Sequence, residues 1–146
     1  MRVFDAAATR AALPFERLVP ALRERFAAGA EVPPRQVLAI DGMTSLVMPA
    51  WAAGRYGVKV VNIAPGNAAL GLPGLHGAYL LFDAATGVPR ALVDGDEITT
   101  RRTAAASALA ASFLAREDAR QLLVVGAGRV ARVRAAKSQE RATAMD

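Results

Sequence analysis

The 146-residue sequence has no cysteine, which excludes disulfides, thiolate metal sites and a cysteine nucleophile. Histidine occurs once, at His76, and no cluster of histidines or carboxylates suggests a metal site. No Ser/His/Asp order suggests a hydrolase. No apolar run approaches the roughly 18–20 residues needed to span a bilayer, so no membrane partner is expected. The first ten residues, MRVFDAAATR, contain no apolar stretch of the kind a secretory signal requires. A cytoplasmic location is the simplest expectation. Lysine is nearly missing too: of 18 basic residues only Lys59 and Lys137 are lysines. With arginine the default cation, an ammonium in mid-chain points to a site that needs a compact charge or a movable proton.

What is abundant is alanine, together with a net charge of +5. The charge is unevenly placed. Residues 129–146 hold five basic and two acidic residues, or +3, and leave only +2 for residues 1–128. A nucleic-acid footprint would be a basic stripe on a folded face, and the body of this chain has none, so no nucleic-acid partner is expected.

Residues 14–28 (PFERLVPALRERFAA) read as an amphipathic helix, with Leu18, Leu22 and Phe26 on one face and Gly29 placed to end it. Pro20 falls inside and predicts a later start or a kink. Short β-like runs follow at 36–40, 44–48, 58–63, 78–82 and 90–93. They are punctuated by Asp41-Gly42, by the stretch from Pro65 to Asn67 and by Thr86-Gly87, which predicts a largely antiparallel sheet. Residues 83–87 fit a hairpin connection. The stretch 62–77 carries too much Gly and Pro for regular structure and reads as a loop, with His76 either an acid/base candidate or an ordinary loop residue. A helix is predicted over 96–115, with Asp96 and Glu97 at its positive end and Ala104, Leu109 and Phe113 on its apolar face. Residues 121–125 (QLLVV) then read as a buried strand.

Two groups of residues could carry chemistry. The first, Gly126-Ala-Gly-Arg-Val-Ala131, fits G-x-G-x-x-A between a predicted strand and a predicted helix, the context of a dinucleotide phosphate turn. Its glycines would let backbone approach a pyrophosphate at a helix N-terminus; a plain glycine turn is the alternative. The fingerprint also needs a second strand and an acidic residue about 20 positions on. Only fifteen residues follow Ala131, and Asp146 closes no apolar strand. The second group is cationic. Lys59 lies in the apolar strand run Val58-Lys-Val-Val61, as a solvent-facing residue or as a functional one. Arg35 follows two prolines, and Arg101-Arg102 sits in the first turns of the Ala-rich helix. Each alone is an ordinary surface cation; together they could form a carboxylate site, arginine binding bidentately and lysine adding a point charge or a proton.

These stretches resemble one family. Arg35, Met48-Pro49, Lys59 with Asn62, Pro65 with Asn67, Gly71-Leu-Pro73, Asp83 with Thr86-Gly87, Arg102-Thr-Ala-Ala-Ala-Ser107 and the later Gly126-Ala-Gly128 are similar in order and spacing to ornithine cyclodeaminases and mu-crystallin. The resemblance covers about residues 1–131. It implies an α/β protein: a substrate-binding and dimerisation domain over 1–115 with a mainly antiparallel sheet, the start of an NAD(P)-binding Rossmann domain over 116–131, and a basic tail over 132–146 expected to be disordered. It implies NAD or NADP as cofactor and a homodimer. Arg35, Lys59 and Arg102 would bind the substrate carboxylate, Lys59 would also assist proton transfer, and Thr103, Gly126, Gly128, Arg129 and Val130 would contact the cofactor. Ornithine cyclodeaminases place a glutamate just before the Met-Pro pair to hold an amino group; here the stretch reads Ser45-Leu-Val-Met48. The resemblance therefore implies, for the intact parent of which this chain would be a truncated part, NAD(P)-dependent reduction of a cyclic imine carboxylate, Δ1-pyrroline-2-carboxylate to proline. Cyclisation of ornithine with loss of ammonia is the enzymatic alternative. The incomplete nucleotide domain adds another: a truncated, non-catalytic fragment that dimerises or binds a small carboxylate.

Overall fold

The structure is a computed structural model and describes residues 1–133. The chain divides into two compact units, 1–12 with 28–99, and 13–27 with the residues from 100 onward. No helix among the described residues is long and apolar enough to cross a membrane.

The first unit is a six-stranded sheet in the order β1-β6-β5-β4-β3-β2. Its strands are β1 (Arg2–Phe4), β2 (Gln36–Ile40), β3 (Met43–Ala52), β4 (Arg55–Ile63), β5 (Leu75–Asp83) and β6 (Pro89–Asp94). All pairings are antiparallel except β1 with β6. The five expected strands are therefore present, and the sheet is mainly antiparallel, as expected. Two hairpins turn tightly through residues at positive φ: Asp41-Gly42 (44° and 82°) and Ala53-Gly54 (48° and 72°). Positive φ at both central residues matches the right-handed twist of the flanking strands. Pro49 lies inside β3, yet breaks no ladder. It is beyond the last β2 partner, Val47, and pairs only with Val58 of β4. The missing N–H thus falls where the neighbouring strand has ended.

The sequence reading missed β1 and the short helix α1 (Ala6–Ala12), which packs on β1 and β6. Their signal is the Asp5 cap, whose Oδ1 accepts the Ala8 N–H at 2.8 Å. Thr9 of α1 is 1% exposed and donates to the Phe4 carbonyl at 3.2 Å.

The expected loop over 62–77 is a correction. Asn62 and Ile63 end β4, residues Pro65–Leu70 form a 3-10 helix, and β5 begins at Leu75. The Asn67 side chain donates to the Pro73 carbonyl at 2.8 Å, and Gly71 closes the turn at φ 66°. The Asn67 amide thus satisfies the Pro73 carbonyl, and the Gly71 N–H reaches the Ala68 carbonyl at 3.2 Å.

Helix α3 (Gly95–Leu114) starts in the first unit and continues in the second. The Asp94 carboxylate caps it, accepting the Glu97 N–H at 2.7 Å. In the second unit, α2 (Phe15–Ala28) stays helical through Pro20, and the later start expected from that proline does not occur. Phe15, Ala104 and Ala105 form the buried cluster there, flanked by Leu18, Val19, Leu22, Val130 and Val133. The consecutive alanines are what lets the Phe15 ring approach α3. Two expected core residues lie outside this cluster: Phe26 is 63% and Phe113 is 62% exposed.

Residues 121–125 are a second correction. They join no ladder, and Leu123 and Val125 are 87% and 88% exposed. Parallel strands are buried between neighbours and covering helices, and the described residues supply no neighbouring strand. Residues 129–133 are helical after the glycine turn; 134–146, most of the expected disordered tail, lie outside the described residues.

Candidate functional site

Lys59 occupies the middle of β4, directly opposite Met48 of β3 and Tyr79 of β5. Paired residues share a face of a sheet, so this face carries Leu46, Met48, Gly57, Lys59, Val61, Gly77 and Tyr79. Lys59 is partly buried and Val61 is 5% exposed. The lysine stem thus rises from a face that is mostly apolar along the strands. Neither β3 residue beside it on this face, Leu46 or Met48, is acidic.

One end of this face is closed by the start of α3. A Cβ added at Gly77 would stand 3.1 Å from the Gly95 carbonyl carbon and 3.2 Å from the Asp96 Oδ1, so α3 leaves β6 on the Lys59 side. The other end is closed by Tyr79, whose hydroxyl lies over Gly57. Burial raises the Tyr79 phenol above its ordinary pKa, which keeps it neutral and able to donate. The sequence reading missed Tyr79, because its position beside Lys59 depends on strand register.

Arg35 is exposed and immediately precedes β2. In the second unit, the Arg101-Arg102 pair divides its tasks. Arg101 donates from Nε to the Leu13 carbonyl at 2.7 Å, and its guanidinium lies 4.5 Å from the centre of the Phe15 ring. That is a structural clamp on α2. Arg102 is exposed one residue later, and Thr103 is partly buried.

The glycine turn leads into helix. Gly126 has φ 105°, and a Cβ at Gly126 or Gly128 would meet nothing within 4 Å. Helical residues begin at Arg129, Arg132 N–H reaches the Gly128 carbonyl at 3.2 Å, and Arg132 Nε reaches the Ala127 carbonyl at 3.1 Å. An open glycine turn running into a helix suits the phosphate end of a dinucleotide. The Val130 side chain packs against the Phe15 cluster, on the inner side of this helix.

Asp83 and Thr86 hold their own turn. Asp83 Oδ1 accepts from Thr86 Oγ at 2.9 Å and from Thr86 N–H at 3.0 Å, and Oδ2 accepts from Arg90 at 2.9 Å. These donors, Arg90 foremost, lower the Asp83 carboxyl to a pKa of about 2. His76 lies within β5 opposite Asn62, with its side chain on the face away from Lys59.

The sequence pattern of the Ornithine cyclodeaminase/mu-crystallin family matches residues 7–144. The chain belongs to this family. A family relative, the Delta(1)-pyrroline-2-carboxylate/Delta(1)-piperideine-2-carboxylate reductase of Azospirillum brasilense, is 40% identical over 134 residues, covering 88% of this chain and 43% of the relative. Among solved structures, an archaeal alanine dehydrogenase dimer with bound NAD is similar with a TM-score of 0.86 at 28% identity, covering 97% of this chain and 45% of that one. The Thermococcus litoralis Delta(1)-pyrroline-2-carboxylate reductase in complex with NADH and L-proline is similar with a TM-score of 0.75 at 31% identity, covering 99% of this chain and 46% of that one. The chain spans less than half the length of the curated relatives it matches.

Proposed function

We propose that the protein is built for NAD(P)-dependent reduction of a cyclic imine carboxylate, Δ1-pyrroline-2-carboxylate to proline, and that Lys59 is its proton-handling residue. The observation that carries this reading is the partly buried strand lysine, Lys59, with no acid beside it on β3. A cyclodeaminase must hold a second amino group, and Leu46 and Met48 offer it nothing. Relatives named Delta(1)-pyrroline-2-carboxylate reductase, 36% and 49% identical, support the same choice.

The reaction adds a hydride to the imine carbon and a proton to the ring nitrogen. NAD(P)H, when bound, supplies the hydride. Arg35 and Arg102 are assigned to the carboxylate, which guanidinium groups bind bidentately. Lys59 is assigned a third contact to it and the proton for nitrogen, a role suited to an ammonium whose pKa the surroundings can tune. Gly126, Gly128 and Arg129 are assigned to the pyrophosphate, with Thr103 and Val130 beside the cofactor. A homodimer and a cytoplasmic location belong to the same reading. Leu38, Ile40 and Trp51 are 44%, 42% and 43% exposed on the sheet face opposite Lys59, and a second copy would cover them.

The test is a fluorescence titration of the 146-residue chain with NADH and NADPH, followed by addition of pyrroline-2-carboxylate. Saturable binding and imine-dependent oxidation are expected, with Lys59→Met lowering the rate about 100-fold or more. Proline and ammonia formed from ornithine would instead decide for a cyclodeaminase. Carboxylate binding and dimerisation without turnover would decide for a non-catalytic fragment.

A further inference from the structure

Gly57 and Tyr79 form a pair that the proposed chemistry has not used. Tyr79 is the direct cross-strand partner of Lys59, whereas Gly57 is opposite Leu81, so Tyr79 reaches Gly57 diagonally. A Cβ at Gly57 would overlap the Tyr79 hydroxyl oxygen outright and stand 2.6 Å from its Cζ and 3.0 Å from its Cε2. Gly57 is buried although its neighbours along β4 are not, because the phenol covers it. Its φ is not in the left-handed region, so space rather than backbone conformation demands glycine here. An aromatic ring covering a cross-strand glycine is also a known stabilising device for sheets. Here it has a second consequence. The ring is laid along the sheet on one side of Lys59, the side toward Gly57, while the start of α3 lies over Gly77 on the other side.

We propose that Tyr79, seated over Gly57, is a positioning residue for Lys59: the ring walls the Gly57 side of the lysine stem and keeps the side chain from lying along the sheet in that direction. This rests on the reading of Lys59 as the carboxylate ligand and proton donor, and it adds what aims that side chain. The neutral phenol, its pKa raised by burial, adds no competing charge next to the ammonium.

Only two lysines are present, so reductive methylation of the full chain with ¹³C-formaldehyde gives resolvable signals for Lys59 and Lys137 besides the N-terminus. The Lys59 signal is assigned by its loss in Lys59→Arg. The expected result is a ring-shifted, broadened Lys59 signal in the parent chain. It should move to the position of a mobile lysine and sharpen in Tyr79→Leu and in Gly57→Ala, and remain shifted in Tyr79→Phe. A Lys59 signal unchanged in Tyr79→Leu, with the circular dichroism of the parent retained, would overturn the inference. If Tyr79→Leu does not fold, Gly57→Ala decides in the same way, because its methyl displaces the ring while the ring remains. A purely sheet-stabilising tyrosine would lower the melting temperature without moving this signal, which also counts against positioning. The readout requires no substrate. Absent turnover with the shifted signal intact would defeat the proposed reaction alone.

Discussion

Gly95→Ala is the most exacting perturbation of the fold, because two opposed effects meet at one residue. Gly95 is the first residue of α3 and is buried. Alanine is the better helix former, by about 1 kcal/mol in a helix interior and by less at the first position. Against this, a Cβ at Gly95 would overlap the Gly77 carbonyl carbon and stand 2.5 Å from the Ala78 nitrogen and 2.7 Å from the Gly77 oxygen. All three atoms are backbone of β5, which is laddered to β4 and β6 and cannot turn aside as a side chain could. Overpacking against such a neighbour costs about 3 kcal/mol, at the upper end of the usual range. The clash wins, with a net loss of about 2 kcal/mol. With a urea dependence of about 2 kcal/mol per M, the unfolding midpoint should fall by about 1 M. Gly77→Ala is the control: its nearest neighbours are 3.1–3.3 Å away, so a small adjustment suffices and a loss of about 1 kcal/mol is expected. Urea titrations followed by circular dichroism measure both. A Gly95→Ala midpoint equal to or above that of the parent chain would refute the close-packed origin of α3.

Three further outcomes follow from the same structure. Asp83 has a carboxyl pKa lowered from 3.8 to about 2, so its contribution is fully present above pH 4 and disappears as pH falls toward 2. Asp83→Asn should flatten that acid limb of the stability profile, measured by thermal melts from pH 2 to pH 6; an unchanged limb would exclude Asp83 as its source. Phe15→Ala removes the one aromatic ring of the buried cluster and the ring under Arg101. A loss of about 3 kcal/mol is expected, read as a drop in the melting temperature of α2 and α3 helicity, and a loss under 1 kcal/mol would mean the cluster is not holding these helices. Leu123→Ser with Val125→Ser should reduce binding of a hydrophobic dye, since both side chains are almost fully exposed; undiminished dye fluorescence would assign the dye to another surface.

Where local chemistry suffices, the sequence by itself determined the outcome. Turn residues with positive φ, alternating strand runs and the Asp96-Glu97 start of a helix are decided within a few residues, and the strands of the sheet and α3 were legible from them. The motif residues were legible as a family signature, but not their tasks: Asp83, Thr86 and Asn67 bind their own turns, a fact visible only as hydrogen bonds. The tertiary structure alone decided the rest. β1 is three residues long and exists because β6 offers it an edge. Residues 121–125 have every sequence mark of a strand and no ladder, because a strand is a relation between segments and not a property of one. The surroundings of Lys59 follow from register, since a shift of one residue would exchange Tyr79 and Met48 for residues of the opposite face. Residue type chose the ammonium; only the pairing of β3, β4 and β5 put a tyrosine on one side of it and the glycine that admits α3 on the other.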